Sequence, residues 1–328
     1  GLLSREPHRV VALGDMAGAP ARIAGTAPGL AHGLGRSYGD VCLNAGGTLW
    51  QTTALDRFIA FDRQTGVLRC EAGVSLREIN SLAIPAGWSL PVVPGTEWVT
   101  VGGAIANDVH GKNHHLAGTF GCHVRSLTLA RSDGTLHQAR PGDDGLFAAT
   151  VGGLGLTGVM LEAELQLAPC PGPWLDTETL PIDGLDAFFA LSAASEHAWA
   201  HSVAWIDCTA PRRLLGLFLR ALASTDQSGE PPRTRMRAMP VTPPFPLVNA
   251  LTLRPFNLLY HARGRMHGAR RLPYRPFLHP LDALHGWNRM YGPRGFHQYQ
   301  SVVPAEHGAE ATAAMLDAIA RSGQGSFL

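Results

Sequence analysis

The clearest periodic pattern in the chain is an alternation of apolar and polar side chains over residues 159–167. A period of two is typical of a strand with one face buried. One face would carry apolar residues and the other mostly polar ones: Leu161, Ala163, Leu165 and Leu167 against Met160, Glu162, Glu164 and Gln166. This pattern predicts a strand that packs one side on a core.

Shorter patterns predict further elements. Strands are predicted at residues 48–51, 58–62, 67–72, 126–131, 135–139, 199–208, 214–221 and 296–303, and turn residues between neighbours predict hairpins at 58–72 and 126–139. Ser75 and Glu78 have capping-box spacing and predict a helix that ends near Ile84. Helical patterns also cover residues 143–150, 185–194 and 306–321, and residues 224–246 read as a long, mobile loop.

A proline-rich stretch, residues 169–173, marks a boundary between two domains at 1–170 and 171–328. A chain of 328 residues with 45% hydrophobic and 16% charged residues, Gly 38 and Pro 24, is typical of a loop-rich α/β or α+β enzyme. The net charge of +1 argues against nucleic-acid binding. Five scattered cysteines without a C-x-x-C pair argue against zinc and disulfide frameworks and favour a reducing compartment.

A glycine-rich run at residues 95–121 contains six glycines and the only lysine of the chain, Lys112, among His110, His114 and His115. Glycines let backbone N–H groups approach a ligand closely where a side chain would clash. The run therefore predicts contact with the phosphate-bearing part of a large cofactor.

A second glycine motif, residues 153–158, matches G-x-G-x-x-G. A dinucleotide-binding Rossmann motif needs a strand before it and a helix after it, whereas this one is predicted to follow a helix and precede a strand. We therefore reject a Rossmann domain on this ground. The glycines can still contact a cofactor.

The three histidines have spacing that would suit a metal, with Asp108 nearby. Two glycines and Lys112 interrupt them, which favours structural roles for His114 and His115, with a metal-dependent enzyme as an alternative. The chain contains neither a G-x-S-x-G elbow nor a P-loop motif, so hydrolase and NTPase functions lack support.

Residues 231–281 contain nine arginines and no Asp or Glu. A flexible, solvated loop is one interpretation of such a segment. The other is a surface patch for anionic lipid or for a lipid-phosphate substrate.

Three ordered motifs resemble the FAD-binding (PCMH-type) domain of the vanillyl-alcohol-oxidase superfamily: residues 33–40 (GLGRSYGD), 95–121 and 152–160 (GGLGLTGVM). Within it, the run HGKNHH at residues 110–115 is most similar to the decaprenylphosphoryl-β-D-ribose 2-oxidase family. The similarity continues at residues 277–282 (FLHPLD), 286–289 (GWNR) and 295–300 (GFHQYQ). It implies an α+β fold: a two-subdomain FAD-binding domain, then a cap domain with an antiparallel sheet, here incomplete.

The resemblance implies cofactor contacts in three places. They are Gly33, Leu34, Gly35, Arg36, Ser37, Tyr38, Gly39 and Asp40; Gly95, Thr96, Thr100, Val101, Gly102, Gly103, Asn107, Asp108, Val109 and His110; and Gly158, Val159 and Met160. Many superfamily members carry a histidine in the first of these segments that bonds covalently to the flavin. This chain has Arg36, Ser37 and Tyr38 there, so the resemblance implies non-covalent FAD.

The resemblance also places Tyr38, His110 and Lys112 beside the flavin or substrate as catalytic residues. On the substrate side it implies Trp205, Asn288, Arg289, Gln298 and Gln300. Alternatives from the residues themselves are a core role for Trp205 and turn positions for Asn288 and Arg289. Gln298 and Gln300 would share one face of the predicted 296–303 strand.

The implied activity is FAD-dependent oxidation of the C2 hydroxyl of a polyprenylphosphoryl pentose to the 2-keto sugar. This is the oxidative half of an epimerisation in cell-wall arabinan precursor synthesis, completed by a partner short-chain reductase. Alternatives are oxidation of a free sugar alcohol or aldonolactone, and flavin or partner binding without catalysis. We expect a cytoplasmic protein, or one peripheral to the inner membrane through residues 231–281, without a signal peptide or transmembrane segment.

The family's chain continues beyond a segment like Ser326-Phe327-Leu328. The resemblance therefore implies that the end of the cap, with its pocket lysine and cysteine, is missing here.

Overall fold

The computed structural model describes residues 7–143, 145–209, 214–232 and 237–322. The chain divides into two compact units. The first comprises the described residues up to Pro173 together with Leu278–Asp282, and the second comprises Trp174–Phe277 and the described residues from Ala283 onward. The tripeptide Ser326-Phe327-Leu328 and residues 233–236 of the arginine-rich segment lie outside the described residues.

The first unit combines two sheets with short helices. Its strands are β1 (Arg9–Ala12), β2 (Gly29–His32), β3 (Thr48–Gln51), β4 (Phe58–Asp62), β5 (Val67–Glu71), β6 (Trp88–Ser89), β7 (Val124–Ala130), β8 (Leu136–Ala139), β9 (Val159–Gln166) and β10 (Ala168–Pro169). Its helices are α1 (Ala19–Ala24), α2 (Leu76–Ala83), α3 (Val101–Ala106), α4 (His114–Ala117) and α5 (Leu146–Thr150). Strands β1, β3 and β2 form a parallel sheet, and β4, β5, β9, β7 and β8 form an antiparallel one.

Strand β9 confirms the strongest pattern of the sequence and links the two cores of this unit. Leu161, together with Val159, packs in a small cluster beside the parallel sheet. Ala163 and Leu165 pack in the larger cluster beneath the antiparallel sheet. Met160 departs from the predicted division, because it is also buried in the larger cluster. One strand thus contributes side chains to both cores.

Local sequence signals set the ends of several elements. The capping box of α2 is present: Ser75 Oγ accepts a hydrogen bond from the N–H of Glu78, and Glu78 Oε2 accepts one from the N–H of Ser75. The helix stops at a short 3₁₀ turn that ends on Gly87, whose φ of 85° suits glycine. Both predicted hairpins, β4–β5 and β7–β8, are confirmed. The motif at residues 153–158 lies between α5 and β9, as predicted.

The second unit is built on an antiparallel sheet. Its strands are β11 (Trp174–Asp183), β12 (His201–Ile206), β13 (Leu215–Ala223), β14 (Arg237–Ala238), β15 (Ala269–Pro273) and β16 (Leu284–His285). Its helices are α6 (Leu185–Ser195), α7 (Ala250–Arg265), α8 (Tyr274–Leu278, whose last residue belongs to the first unit) and α9 (Gly308–Ser322). The sheet order is β12-β13-β11-β15. No helix within the described ranges combines the length and the hydropathy that crossing a bilayer requires.

The predicted strand at residues 296–303 is wrong. The backbone there is irregular, and Gln298 and Gln300 are exposed rather than aligned on one face of a sheet. Tyr299 and Val302 are exposed as well. The residues favour extended backbone, but a strand also needs a neighbouring strand that takes up its N–H and C=O groups. Among the described residues, none pairs with this segment.

The larger core predicts a contrast between two leucines of one hairpin. Leu127 on β7 is 1% exposed, whereas Leu136 on β8 is 57% exposed. We expect Leu127→Ala to lower the free energy of unfolding by about 2–5 kcal/mol, because it leaves a cavity. Leu136→Ala should change it by less than about 0.5 kcal/mol. Urea unfolding followed by circular dichroism measures both, and equal midpoints would contradict this description of the core.

Candidate functional site

The first loop, residues 33–41, leaves the carboxyl end of β2 in the parallel sheet. Among hydrogen bonds between described residues, none is donated by the N–H groups of Gly33, Leu34, Gly35, Arg36 or Ser37. Gly35 and Arg36 are exposed, and Gly33, Leu34 and Ser37 are half-buried. Backbone donors without an internal partner, on a glycine-rich loop at the end of parallel strands, are suited to an anionic ligand such as a pyrophosphate.

His32 closes the base of the first loop. Its Nδ1 lies 2.9 Å from the carbonyl oxygen of Cys42, which joins the residue before the loop to the residue after it. Hydrogen bonding to Cys42 also raises the pKa of the His32 imidazole. The carbonyl of His32 accepts from the N–H of Thr52 at 3.0 Å, which fixes the same residue to the end of β3. The loop therefore begins and ends on a rigid support.

The second loop, residues 95–103, lies against the first through Gly33 and Thr100. A Cβ on Gly33 would lie 2.5 Å from Thr100 Oγ1, so only glycine permits this approach. Thr100 is itself fixed, because its hydroxyl caps α3 by accepting from the N–H of Gly103 at 3.1 Å. The two glycine segments that the sequence analysis assigned to one cofactor are therefore in direct contact.

The amides of the second loop differ from those of the first. The N–H of Val101 donates to Val74 and that of Gly102 to Ala72, each at 2.8 Å. These two groups and the N–H of Gly103 are thus used inside the protein. Their contribution to a ligand site is close backbone packing rather than donation of hydrogen bonds.

A strap formed by Leu278–Asp282 holds the second loop from outside its own sequence neighbourhood. The Asp282 carboxylate accepts from Thr96 Oγ1 at 2.5 Å and from the N–H of Glu97 at 2.8 Å. The N–H of Leu281 donates to the carbonyl of Gly95 at 3.2 Å. His279 Nδ1 lies 3.0 Å from the carbonyl of Pro94. Four contacts thus tie three residues of the strap to residues 94–97 at the start of the loop.

Glu97 adds a buried ion pair beneath the second loop. Its carboxylate is 1% exposed and lies 2.5 Å from Arg77 Nη1 on α2. The Arg77 guanidinium also lies 4.9 Å from the ring centroid of Trp98. A buried carboxylate requires such a partner, so α2 and the second loop are held in one arrangement.

A tight turn carries the chain from α3 to His110. Asp108 has a φ of 41°, and its Oδ1 accepts from the N–H of Gly121 at 2.8 Å. Asn107 Nδ2 donates to the carbonyl of Gly103 at 2.8 Å. Val109 packs against the larger core and His110 is exposed, paired with Thr119 in a short antiparallel bridge. The left-handed backbone of Asp108 is therefore stabilised by the hydrogen bond of its own side chain, which fixes the conformation of the turn before His110.

Lys112 is a partly buried cation in the glycine-rich run. Its Nζ donates to the carbonyl of Leu278, the first residue of the strap, at 3.1 Å. Burial lowers the pKa of Lys112 to about 8. The next residue, Asn113, fixes the backbone because its Nδ2 donates to the carbonyl of Pro91 at 2.6 Å. An ammonium whose charge is easily lost is typical of a functional site.

The third loop, residues 152–158, docks on the carboxyl end of α3. The N–H of Gly152 donates to Ile105 and that of Leu154 to Ala106, at 3.0 and 2.8 Å. Gly158 has a φ of 146°, and a Cβ there would lie 2.8 Å from the Ala130 carbonyl. Val159 and Met160 follow as buried residues of β9.

The substrate-side candidates lie in the second unit. Trp205 is 7% exposed, and its ring contacts Tyr260 at a centroid distance of 4.9 Å, which favours the core alternative. Arg289 donates to the carbonyls of Met239 and Pro240, each at 2.8 Å, from the 3₁₀ turn Trp287–Tyr291 that also carries Asn288. That arrangement is the turn alternative.

The histidine cluster is a set of edge contacts. The rings of His110 and His114 are 6.1 Å apart by centroid, and those of His114 and His115 are 5.9 Å apart. Within the described ranges, no group of three or more His, Cys, Asp or Glu residues is arranged to hold a metal ion.

Comparisons with known proteins identify an FAD-binding domain in the first unit. A profile of the FAD binding domain family matches residues 22–140. Over 313 residues the chain is 39% identical to decaprenylphosphoryl-β-D-ribose oxidase of Mycolicibacterium smegmatis, covering 91% of this chain and 68% of the relative. It is 34% identical over 257 residues to an uncharacterized protein of Streptomyces coelicolor from the mprA 5′ region, covering 72% of this chain and 68% of the relative.

A solved structure of alkyldihydroxyacetonephosphate synthase matches with a TM-score of 0.56 at 14% identity. The match covers 65% of this chain and 46% of that one, and at this identity it shows the fold alone. The chain thus spans about two thirds of these curated relatives and less than half of the solved structure. The predicted α+β fold, with an FAD-binding domain and an antiparallel sheet after it, is confirmed.

The first unit fits FAD on its own geometry. The N–H groups of residues 33–37, which donate to no described residue, are available for a pyrophosphate, and the absence of a side chain on Gly33 allows the second loop to pack against this loop. His32 and Asp282 were not among the predicted site residues, although both fix these loops. His32 is adjacent to the first glycine motif, which is a local signal. Asp282 lies 186 residues from Thr96, so only its membership of the motif FLHPLD could have drawn attention to it.

The strap predicts a positioning role for Asp282. We expect Asp282→Ala to weaken FAD binding about tenfold, because two hydrogen bonds to a carboxylate that orient the second loop are lost. Asp282→Asn, which keeps one acceptor oxygen, should be intermediate. Titration of apoprotein with FAD, followed by quenching of flavin fluorescence, measures the affinity.

Asp133→Ala is the matched control. Asp133 also accepts from a backbone N–H and a hydroxyl, both of Thr135, but in the β7–β8 turn. Equal FAD affinity of the Asp282 and Asp133 variants would show that the strap does not position the loop.

Proposed function

This chain belongs to the decaprenylphosphoryl-β-D-ribose oxidase family of FAD-binding oxidoreductases, and from that premise we propose that it oxidises the C2 hydroxyl of a polyprenylphosphoryl pentose to the 2-keto sugar. The observation that carries the proposal is Lys112: the only lysine of the chain is partly buried within the glycine-rich run, and its ammonium donates to the strap. The substrate follows from the relative's name and from the motif HGKNHH.

FAD supplies a hydride acceptor when it is bound, which leaves the protein to orient the alcohol and to manage its proton. We assign the proton to His110, because imidazole is the side chain that most readily accepts one near neutral pH. Burial raises the pKa of Tyr38, so its phenol keeps its proton and serves as a hydrogen-bond donor. Lys112 supplies positive charge where negative charge develops during the reaction.

The remaining assignments belong to the same proposal. The first loop binds the pyrophosphate through its amides, the second loop packs against it, and residues 158–160 lie toward the adenine end. FAD is held without a covalent bond, since Arg36, Ser37 and Tyr38 stand where a linking histidine would be. The substrate-side roles that the resemblance implies for Trp205, Asn288, Arg289, Gln298 and Gln300 stay predictions, and the packing of Trp205 and the turn contacts of Arg289 weigh against those two. The keto product passes to a short-chain reductase, which completes the epimerisation at the membrane where the lipid resides.

The substrate assignment predicts a selective reduction of bound flavin. Anaerobic addition of a polyprenylphosphoryl ribose to the holoprotein should bleach the visible flavin absorbance, and free alditols or aldonolactones should not. Acid precipitation should release the flavin into the supernatant. Bleaching by a free alditol alone would favour the sugar-alcohol alternative. Bound flavin that no substrate bleaches would favour a binding protein without catalysis.

The low pKa of Lys112 predicts a pH dependence with a definite sign. The ammonium is charged below about 8 and neutral above it. We expect the rate of flavin reduction to fall above pH 8, about tenfold per unit, if the charged form acts. Lys112→Arg should extend the plateau to higher pH, because a guanidinium stays charged. Lys112→Met should be slow at every pH, and a profile of Lys112→Met that matches the wild type would remove Lys112 from the mechanism.

The same pKa can be tested without substrate. Between about 8 and the ordinary value of 10.5, the unfolded chain binds a proton that the folded chain does not. The contribution of this group to the free energy of unfolding therefore rises with pH between about 8 and 10.5 and is constant below about 8, where the lysine is charged in both states. The difference in stability between wild type and Lys112→Met, measured by urea unfolding at several pH values, should show this rise.

A further inference from the structure

Helix α7 has one face that the second unit buries. At about 100° per residue, Leu253, Asn257 and Gly264 fall on one side of the helix. Leu253 and Asn257 are 3% and 1% exposed, and a Cβ on Gly264 would overlap the side chain of Leu217 on β13. Asn257 Nδ2 donates to Asp207 Oδ1 at 2.7 Å on this side. The inner face of α7 is therefore fixed on the sheet.

The opposite face of the same helix is apolar and exposed. At about 100° per residue, six apolar residues fall within an arc of about 100° around the helix axis. We call this surface the α7 stripe; it consists of Leu251, Pro255, Leu258, Leu259, Ala262 and the capping residue Met266. The exposed fraction is 86% for Leu251, 63% for Leu258, 59% for Leu259 and 85% for Met266. Single exposed apolar residues are ordinary, whereas a continuous stripe of them marks an interaction surface.

Arginines border the α7 stripe on both sides. Arg254 and Arg265 lie along one edge and Arg263 along the other, and all three are exposed. The surrounding segment, residues 231–281, contains no Asp or Glu. Nearby carboxylates are engaged elsewhere: Asp207 faces Asn257 on the buried side, and Asp226 pairs with Arg271. The field at this surface is therefore positive.

The charge pattern distinguishes between the occupants of such a stripe. A second copy of this chain would bring its arginines against those of the first, and like charges in contact oppose association. A protein partner would have to carry an apolar patch with acids on both sides of it. An anionic bilayer offers acyl chains to the apolar stripe and lipid phosphates to the arginines on either side of it.

We propose that α7 is an interfacial membrane anchor, which lies flat on a bilayer containing anionic phospholipid. The α7 stripe enters the boundary between head groups and acyl chains, and Arg254, Arg263 and Arg265 contact lipid phosphates. This surface assigns a function to the acid-free arginine segment that does not depend on the oxidation chemistry.

Vesicle sedimentation tests the apolar part. Holoprotein is mixed, without substrate, with vesicles of phosphatidylcholine and phosphatidylglycerol or of phosphatidylcholine alone. We expect the wild type to bind the anionic vesicles. The partition coefficient of Leu251→Asn/Leu259→Asn should be at least about tenfold lower, because two leucine side chains are no longer transferred from water into the bilayer. Leu136 on β8 is 57% exposed, close to the 59% of Leu259, and Leu136→Asn should bind as the wild type does.

A second pair of variants tests the charge. Arg254→Gln/Arg265→Gln should lower binding to anionic vesicles about 30-fold at low salt. Arg63→Gln/Arg140→Gln makes the same change in net charge at two exposed arginines of the first unit and should have little effect. High salt should reduce the difference between the two pairs.

Three outcomes would overturn the proposal. Wild-type protein that stays in the supernatant with anionic vesicles would exclude an anchor. Equal binding by the α7 and control variants would assign the interaction to another surface. A wild-type dimer that Leu251→Asn/Leu259→Asn converts to a monomer in light scattering would make the stripe a self-association face. Flavin absorbance and circular dichroism of each variant confirm folding, and no readout requires turnover, so the substrate proposal can fail independently.

Discussion

An ammonium that loses part of its hydration is stabilised by an oxygen partner, and partly buried Lys112 has one 166 residues further along the chain, on the backbone of Leu278. Desolvation costs the charged form so much that the pKa of the lysine falls to about 8. The Leu278 carbonyl that accepts from the ammonium belongs to the strap, and Asp282 joins the strap to the second loop. The position of the cation and the position of the glycine backbone are therefore set by the same short segment.

This arrangement explains why so little side-chain bulk surrounds the loops. The N–H groups of residues 33–37 in the first loop donate to no described residue, whereas those of Val101, Gly102 and Gly103 in the second loop donate to groups inside the protein. The N–H groups of the first loop are therefore available to a ligand, whereas those of the second loop stabilise the fold. His32 and Thr100 are the side chains that fix this division, since each joins a loop to a rigid strand or helix end.

Local patterns predicted the elements that depend on local physics. The alternation of β9, the capping box at Ser75 and the two hairpins are all present, because each is determined within a few residues. The strand expected at residues 296–303 failed because pairing is a property of a neighbour, not of the segment itself. The strap could not be derived at all, since a carboxylate that serves a loop 185 residues away leaves no periodic trace.

Helix α7 shows a different reason why sequence patterns fail. Its apolar residues occupy both the buried and the exposed face, so no single amphipathic stripe appears, and Pro255 interrupts the helical signal. The segment consequently resembled a basic loop. In the structure it is a helix with one face packed on the sheet of the second unit, and in our proposal the opposite face contacts the bilayer. A polyprenyl chain keeps its sugar phosphate at the bilayer surface. An enzyme that is bound at that surface meets a higher local concentration of every lipid-linked substrate. Residence at the bilayer therefore increases the rate of encounter with substrate, which affinity for the sugar alone does not.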